Sequence, residues 1–306
     1  MNVISDPNPN YINPFENQFM APTEEQRNGN PVCYVDGEFV PADQATLPLS
    51  DLAILRGYAV FDFLRTYNRR PFHLLDHIER MRNSARVIGL TCPWPSEEIE
   101  SIVYQVLDYN EFVECNLRLL VTGGDSEDSI SPGDNPRLIV LASALNPYPR
   151  DWYENGVAVI TAPSGRDIAA AKSIDYIKAI ITLRDARAAG AVESVYVDGN
   201  DCVLEGTTSN IFVVAGGMLM TPDESILPGI TRKVVLDLAG AEFSPLLTTI
   251  TRHQLLGAEE VFLTSSNKEV LPVVTVDGAK INKGVPGPIT RKIIELFGSY
   301  TQNYGA

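Results

Sequence analysis

The chain has 306 residues, 44% hydrophobic and 21% charged, the balance of a globular protein with a core large enough for two ordinary domains. Its 39 acidic and 24 basic residues leave a formal charge of -15, which repels phosphate backbones and anionic membranes and excludes nucleic acid as an expected partner. No apolar run nears the roughly 20 residues of a bilayer span and no basic-then-apolar leader opens the sequence, so the expected location is the cytoplasm.

Residues 1–30 are rich in Asn, Pro, Glu and Gln without a hydrophobic period, and are expected to form a tail or docked arm. Cys33 to Val40 predicts a hairpin turning at Asp36-Gly37. Ala59 to Tyr67 predicts a strand, with Phe72-His73-Leu74 as its hairpin partner. Ile78, Met81, Ala85 and Ile88 then recur at helical spacing up to Gly89. A second helix is expected from Ser96, read as its N-cap, to Asn110. Asn116 to Thr122 and Arg137 to Leu145 predict strands around an acidic loop, Gly123 to Asp134. That loop lacks the ligand alternation of a calcium site, and His73 and His77 lack companion ligands, so no metal site is expected. The four cysteines form no CxxC pair and read as thiols of a reducing compartment.

Asn146-Pro147-Tyr148-Pro149 interrupts regular structure, so residues 31–146 are expected as a smaller α/β domain, 147–155 as a linker and 156–306 as a larger α/β domain. Within the latter come a strand at Val157 to Thr161, a helix at Ile174 to Ala189 and a strand at Val195 to Val197. A hairpin from Ile211 to Thr221 turns at Gly216-Gly217, and a helix starts near Thr231. A strand at Val261 to Thr264 and a helix from Pro288 complete the chain.

GxGxxG, GxxxxGK[ST], GxSxG and HExxH are all missing, which removes the usual signatures of nucleotide binding, serine hydrolysis and zinc proteolysis. Four segments of the second half remain. In Ala170-Ala171-Lys172-Ser173-Ile174-Asp175-Tyr176, small and apolar neighbours can desolvate Lys172 and make it nucleophilic toward an aldehyde, although a solvated lysine before a helix has the same pattern. In Glu205-Gly206-Thr207-Thr208-Ser209-Asn210, a carboxylate precedes a hydroxyl cluster, which suits either a polar turn or a partner for a protonated ring nitrogen. In Leu227-Pro228-Gly229-Ile230-Thr231-Arg232, Gly229 frees the backbone and Thr231 suits an N-cap, so the helix start suits an anion. In Leu263-Thr264-Ser265-Ser266-Asn267, a strand ends in hydroxyl residues able to complete a phosphate cup.

The order and spacing of EGTTSNIF, LPGITR and LTSSNKEV resemble the class IV aminotransferases, of fold type IV and α/β architecture, and the resemblance runs from about Val35 to the last helix. It implies pyridoxal 5′-phosphate as cofactor, with Lys172 as the Schiff-base lysine that moves the proton between the substrate α-carbon and cofactor C4′. It implies Glu205 at the pyridine nitrogen and Tyr176 at the phenolic oxygen. Arg80, Ile230, Thr231 and Ser266 would hold the phosphate, with Thr208 and Ser265 completing the cofactor site. Asp175 departs from the family, which usually has asparagine there.

The family places the substrate pocket in the first domain and partly across a homodimer interface. Branched-chain members carry a tyrosine-led motif ending in FEGxR, whereas this chain reads Arg56-Gly57-Tyr58-Ala59-Val60-Phe61-Asp62-Phe63-Leu64-Arg65. Arg56 replaces the tyrosine, and Phe63 replaces the glycine and narrows the space for a branched side chain. This resembles a group of D-amino-acid aminotransferases with two carboxylate-binding arginines, here Arg56 and Arg118, and fits the need of an acidic protein for concentrated arginine. Structural ion pairs are the other reading of both arginines. Tyr58 and Asn267 complete the expected substrate contacts. The implied reaction moves an amino group between D-alanine or D-glutamate and 2-oxoglutarate or pyruvate. The alternatives are an L-branched-chain aminotransferase, an aminodeoxychorismate lyase and a binding protein without catalysis.

Overall fold

A computed structural model describes residues 29–305, so nearly all of the expected N-terminal arm lies outside the described residues. Two sheets organise the chain. The first has six strands: β1 (Val32–Val35), β2 (Glu38–Pro41), β3 (Ala59–Tyr67), β4 (Arg70–Pro71), β5 (Cys115–Thr122) and β6 (Arg137–Ala144). Their order is β2-β1-β6-β5-β3-β4, every neighbour antiparallel. The turn between β1 and β2 is Asp36-Gly37, both with positive φ, as a tight hairpin of matching twist requires. Helices Leu74–Val87 and Ser96–Asp108 cover this sheet, driving Ile78, Met81, Ile99 and Ile102 into a core shared with Leu117 and Leu119.

The second sheet holds β7 (Val157–Pro163), β8 (Glu193–Val197), β9 (Cys202–Gly206), β10 (Asn210–Ala215), β11 (Met218–Thr221), β12 (Leu246–Leu247), β13 (Ile250–Thr251), β14 (Glu260–Ser265), β15 (Glu269–Val276) and β16 (Ala279–Lys280). The order is β12-β11-β10-β14-β15-β7-β8-β9-β13, with β16 on β15, and parallel pairs occur at β11–β12, β15–β7 and β7–β8. Helices Ile230–Phe243 and Pro288–Gln302 pack on it around Phe212 and Phe262, whose rings stack at 4.8 Å. Among the described residues no helix is long and apolar enough to cross a membrane.

Several boundaries differ from the sequence reading for local reasons. β3 pairs with Arg70–Pro71 rather than with Phe72 to Leu74, because Leu74 already opens the helix. Ser96 is the first helical residue and not the cap; its hydroxyl donates to Glu79 Oε1 at 2.6 Å. The segment 147–155 carries a short helix, Arg150–Asn155. The helix after Lys172 starts at Ile177 rather than Ile174, since the backbone before it is engaged elsewhere. Thr231 lies inside the helix Ile230–Phe243, whose N-cap is Gly229. Strands β9 and β15 carry no clean alternation and escaped the sequence reading.

Candidate active site

Lys172 sits between the two sheets because its own backbone joins them. Its carbonyl accepts from the Phe61 N–H at 2.9 Å, and the Ile174 N–H donates to the Ala59 carbonyl at 3.1 Å. The Lys172 N–H donates to Ser84 Oγ at 3.0 Å. This segment thus adds to the edge of β3, and helical φ/ψ cannot begin until these bonds end. The Lys172 amine lies 4.8 Å from the centre of the Phe61 ring. Burial pushes its ammonium below the ordinary lysine range, the Arg80 and Arg166 charges add to this, and Tyr176 and Asp62 oppose it.

The amine opens on a cavity of about 510 Å³. Glu205, Tyr176, Thr208 and Arg80 line it, as do Ile230 and Thr231 at a helix start. Ser265, Ser266 and Asn267 enter from the end of β14, and Phe63 and Arg118 from β3 and β5. The structure therefore brings together every residue the sequence reading named except Arg56 and Tyr58. Those two line a second cavity of about 640 Å³, which shares Arg166 and Tyr176 with the first. Arg56 is exposed and its guanidinium donates to the Leu55 carbonyl at 2.8 Å, so among the described residues Arg56 is brought neither to Lys172 nor into an ion pair. The Tyr58 hydroxyl donates to the Ile88 carbonyl at 3.1 Å, tying it to the helix that covers the sheet.

One end of the cavity suits an anion. The helix Ile230–Phe243 has no side-chain cap, so its first N–H groups remain available, and the helix dipole favours negative charge there. Arg80 reaches this end, donating to the Pro228 carbonyl at 3.2 Å. Its fork is held by Asp62, which accepts at 2.8 Å from Nε and at 2.7 Å from Nη2. Asp62 also lies 2.6 Å from His77 Nδ1. Burial alone would raise the Asp62 carboxyl, but the Arg80 charge and His77 hold it well below the usual carboxylate range. His77 is thus wholly buried on Asp62, and burial lowers its pKa.

At the other end stands Glu205, on β9, accepting from Arg166 Nε at 2.8 Å, the Leu227 N–H at 3.2 Å and Asn210 Nδ2 at 3.4 Å. Burial raises its carboxyl pKa and Arg166 opposes the rise. Arg166 Nη2 also approaches the Tyr176 hydroxyl at 3.5 Å. Burial would raise the Tyr176 phenol, yet the Lys172 and Arg166 charges bring it below its ordinary value. Beside them the buried Lys268 ammonium bonds Thr208 Oγ1 at 2.6 Å and Glu193 Oε2 at 2.8 Å. Asp62, Arg166, Glu193 and Lys268 were all missed by sequence reasoning. Only the need of a buried carboxylate for a counter-charge could have pointed to Arg166, and that need does not say which arginine meets it.

Among the described residues, Ser209 Oγ, Thr264 Oγ1 and Asn267 Oδ1 are buried without a hydrogen-bond partner, and all three residues line the cavity. Unpaired polar atoms in a cavity wall mark where ligand polar groups belong. With the uncapped helix start, Arg80 and Glu205, they fit a phosphate-bearing heterocycle with a protonated ring nitrogen. Among the described residues no group of three His, Cys, Asp or Glu is placed to hold a metal ion.

Residues 59–276 match the family described as Amino-transferase class IV. The chain is 34% identical over 280 residues to a putative branched-chain-amino-acid aminotransferase of Methanocaldococcus jannaschii, covering 89% of this chain and 97% of the relative. It is 31% identical to a D-alanine aminotransferase of Staphylococcus aureus, covering 89% of this chain and 98% of the relative. Its structure is similar to that of a branched-chain amino acid aminotransferase of Escherichia coli, with a TM-score of 0.84 at 26% identity over 90% of this chain and 98% of that one. A second branched-chain enzyme, solved with pyridoxamine 5′-phosphate, gives a TM-score of 0.81 at 29% identity over 89% and 94%. On this match across both sheets, the chain belongs to the class IV aminotransferases, fold type IV enzymes whose cofactor is pyridoxal 5′-phosphate.

Proposed function

We propose that this aminotransferase moves amino groups between D-amino acids of the D-alanine and D-glutamate type and 2-oxo acids such as 2-oxoglutarate and pyruvate. The observation that carries this reading is Arg118. Its guanidinium lies 5.4 Å from the Phe61 ring and 5.5 Å from the Phe63 ring, on the cavity wall, with no carboxylate partner among the described residues. A cation flanked by two aromatic faces is oriented yet unneutralised, which suits a substrate carboxylate. The likeness to D-alanine aminotransferases points the same way.

The cofactor, when bound, supplies an electron sink for the charge left on the substrate α-carbon after deprotonation. The chain's residues do the rest. Arg80, Ile230 and Thr231 would hold the phosphate, with Ser265, Ser266 and Thr208 about it. Glu205 would face the ring nitrogen and Tyr176 the phenolic oxygen. Lys172, its ammonium pushed below the ordinary lysine range by burial, would both attach the cofactor and carry the α-proton as general base and acid. Asn267 and Phe63 border the substrate. The active unit is proposed to be a homodimer that completes the pocket; exposed Ile177, Ile180 and Ile181, with Ile180 at the cavity, support this.

The second reading, an L-branched-chain aminotransferase, is favoured by the names of the M. jannaschii relative and the similar solved structures. A half-reaction separates the two. Holoenzyme is mixed singly with D-alanine, D-glutamate, L-leucine or L-glutamate, and its visible band is followed. Bleaching by the D-substrates alone is expected. Bleaching by L-leucine and L-glutamate instead overturns D-specificity and retains the transaminase. Pyruvate released from aminodeoxychorismate would mark a lyase.

A further inference from the structure

Glu205 is 2% exposed and already holds protein donors before any ligand arrives. A carboxylate offers about four lone-pair sites. Arg166, the Leu227 N–H and Asn210 occupy three, leaving one for a ligand in the cavity that Glu205 lines. Of the three donors only Arg166 is charged. It comes from the loop after β7, six residues before Lys172, and is itself largely buried, its side chain 14% exposed. Its other contacts all concern the same corner: Nη2 reaches the Tyr176 hydroxyl at 3.5 Å and the Thr207 carbonyl at 3.4 Å. Its guanidinium carbon lies 5.5 Å from the centre of the Tyr176 ring. An arginine needed merely to neutralise a core glutamate would have no reason to bridge it to a second cavity group.

We infer that Arg166 is a positioning residue which gives the Glu205 carboxylate its counter-charge and aims it, so that Glu205 can select a cofactor whose ring nitrogen is protonated. The inference rests on the reading of Glu205 as the partner of that nitrogen. The physical reason is that a carboxylate buried this deeply tends to take up a proton, and a neutral carboxyl gives a pyridinium little. The Arg166 charge, 2.8 Å away, opposes that uptake. A charge-assisted bond to one oxygen also fixes the carboxylate plane, and hence the direction of the remaining lone pair.

The test compares two ligands for the apoprotein, namely pyridoxal 5′-phosphate and its analogue with carbon in place of the ring nitrogen. Dissociation constants are read by titration for wild type, Arg166→Gln, Arg166→Met, Arg166→Lys and Glu205→Gln, each checked for fold by circular dichroism. The wild type is expected to prefer the natural cofactor. Arg166→Gln, Arg166→Met and Glu205→Gln are each expected to lose that preference by roughly tenfold. Arg166→Lys, which retains the charge, should keep most of it. If either neutral Arg166 variant weakens both ligands equally while Glu205→Gln removes the preference, Arg166 is only structural and the inference falls alone. If Glu205→Gln keeps the preference, the reading of Glu205 falls and takes the inference with it.

Discussion

At the residue scale the proposed substrate reading leans on one arginine of two candidates. Both Arg56 and Arg118 were legible as candidate carboxylate ligands through the resemblance to D-amino-acid aminotransferases, which fits the need of an acidic chain for concentrated cations. Their difference was not legible, since it depends on direction: alternate residues of β5 face opposite sides of the sheet. Arg118 faces the Lys172 cavity, whereas Arg56, at the end of the helix Leu52–Arg56, lines the neighbouring one. Arg118→Ala should therefore raise KM for D-glutamate and 2-oxoglutarate by ten- to a hundredfold, on the order of 1.5–3 kcal/mol for a lost charge-assisted bond. Arg56→Ala should change it by less than about threefold, well under 1 kcal/mol. Steady-state kinetics with both variants check this, and the reverse order would return Arg56 to the leading role.

For the elements, the start of the helix Ile230–Phe243 shows why a motif has the residues it has. A Cβ on Gly229 would overlap Asn210 Oδ1. Asn210 cannot yield easily, because its amide donates to the Leu227 carbonyl at 2.9 Å and to Glu205. The glycine is thus demanded by close approach; its φ of -69° is ordinary. Gly229→Ala should cost about 1–3 kcal/mol of stability by overpacking. It should also weaken phosphate binding by the apoprotein, because the helix start must shift. Melting temperature and a titration with inorganic phosphate check the pair of effects. An unchanged melting temperature would mean that Asn210 relaxes. The arginine closing the same motif serves the fold instead. Arg232 donates to Thr221 Oγ1 at 3.1 Å and to the Pro222 carbonyl at 2.7 Å, holding the helix to β11. Helix periods, the β1–β2 hairpin and β3 were readable because their patterns are local. The start at Ile177 was not, because bonds to β3 override the local preference.

Over the whole molecule, the site is an interface between two sheets, held by bonds that span the sequence. Ser266 Oγ donates to the Phe63 carbonyl at 2.9 Å, and Glu269 accepts from Arg65 at 2.9 Å and from Tyr67 at 2.6 Å. His73 and Tyr304 tie the chain's end to the first sheet, the Tyr304 hydroxyl accepting from the His73 N–H at 2.7 Å. The Asp62–His77–Arg80 group completes this seam, since Arg80 reaches Pro228 on the far side. Asp62→Asn would leave Arg80 and His77 buried without their carboxylate and should cost about 3–5 kcal/mol at neutral pH. The sign of its pH dependence follows from the depressed carboxyl pKa in the folded state. Such a group stabilises above the unfolded pKa of about 4, and the stability is lost as pH falls toward the folded value. The gap between wild type and Asp62→Asn in urea midpoint should therefore narrow on going from pH 7 to pH 3. A gap that widens would refute the ionised pair.

The cast of the proposed site could be read from sequence: a lysine among small residues, a glutamate before a hydroxyl cluster and a glycine at a helix start, each written in a short contiguous stretch. Most local elements could be read the same way, because helix and strand periods are properties of neighbours. What those groups experience follows from the fold. Asp62 behind Arg80, Arg166 against Glu205 and Lys268 beneath Thr208 are pairs 18, 39 and 60 residues apart. Burial, counter-charge and side-chain direction arise where distant segments meet, and no contiguous stretch of sequence contains them.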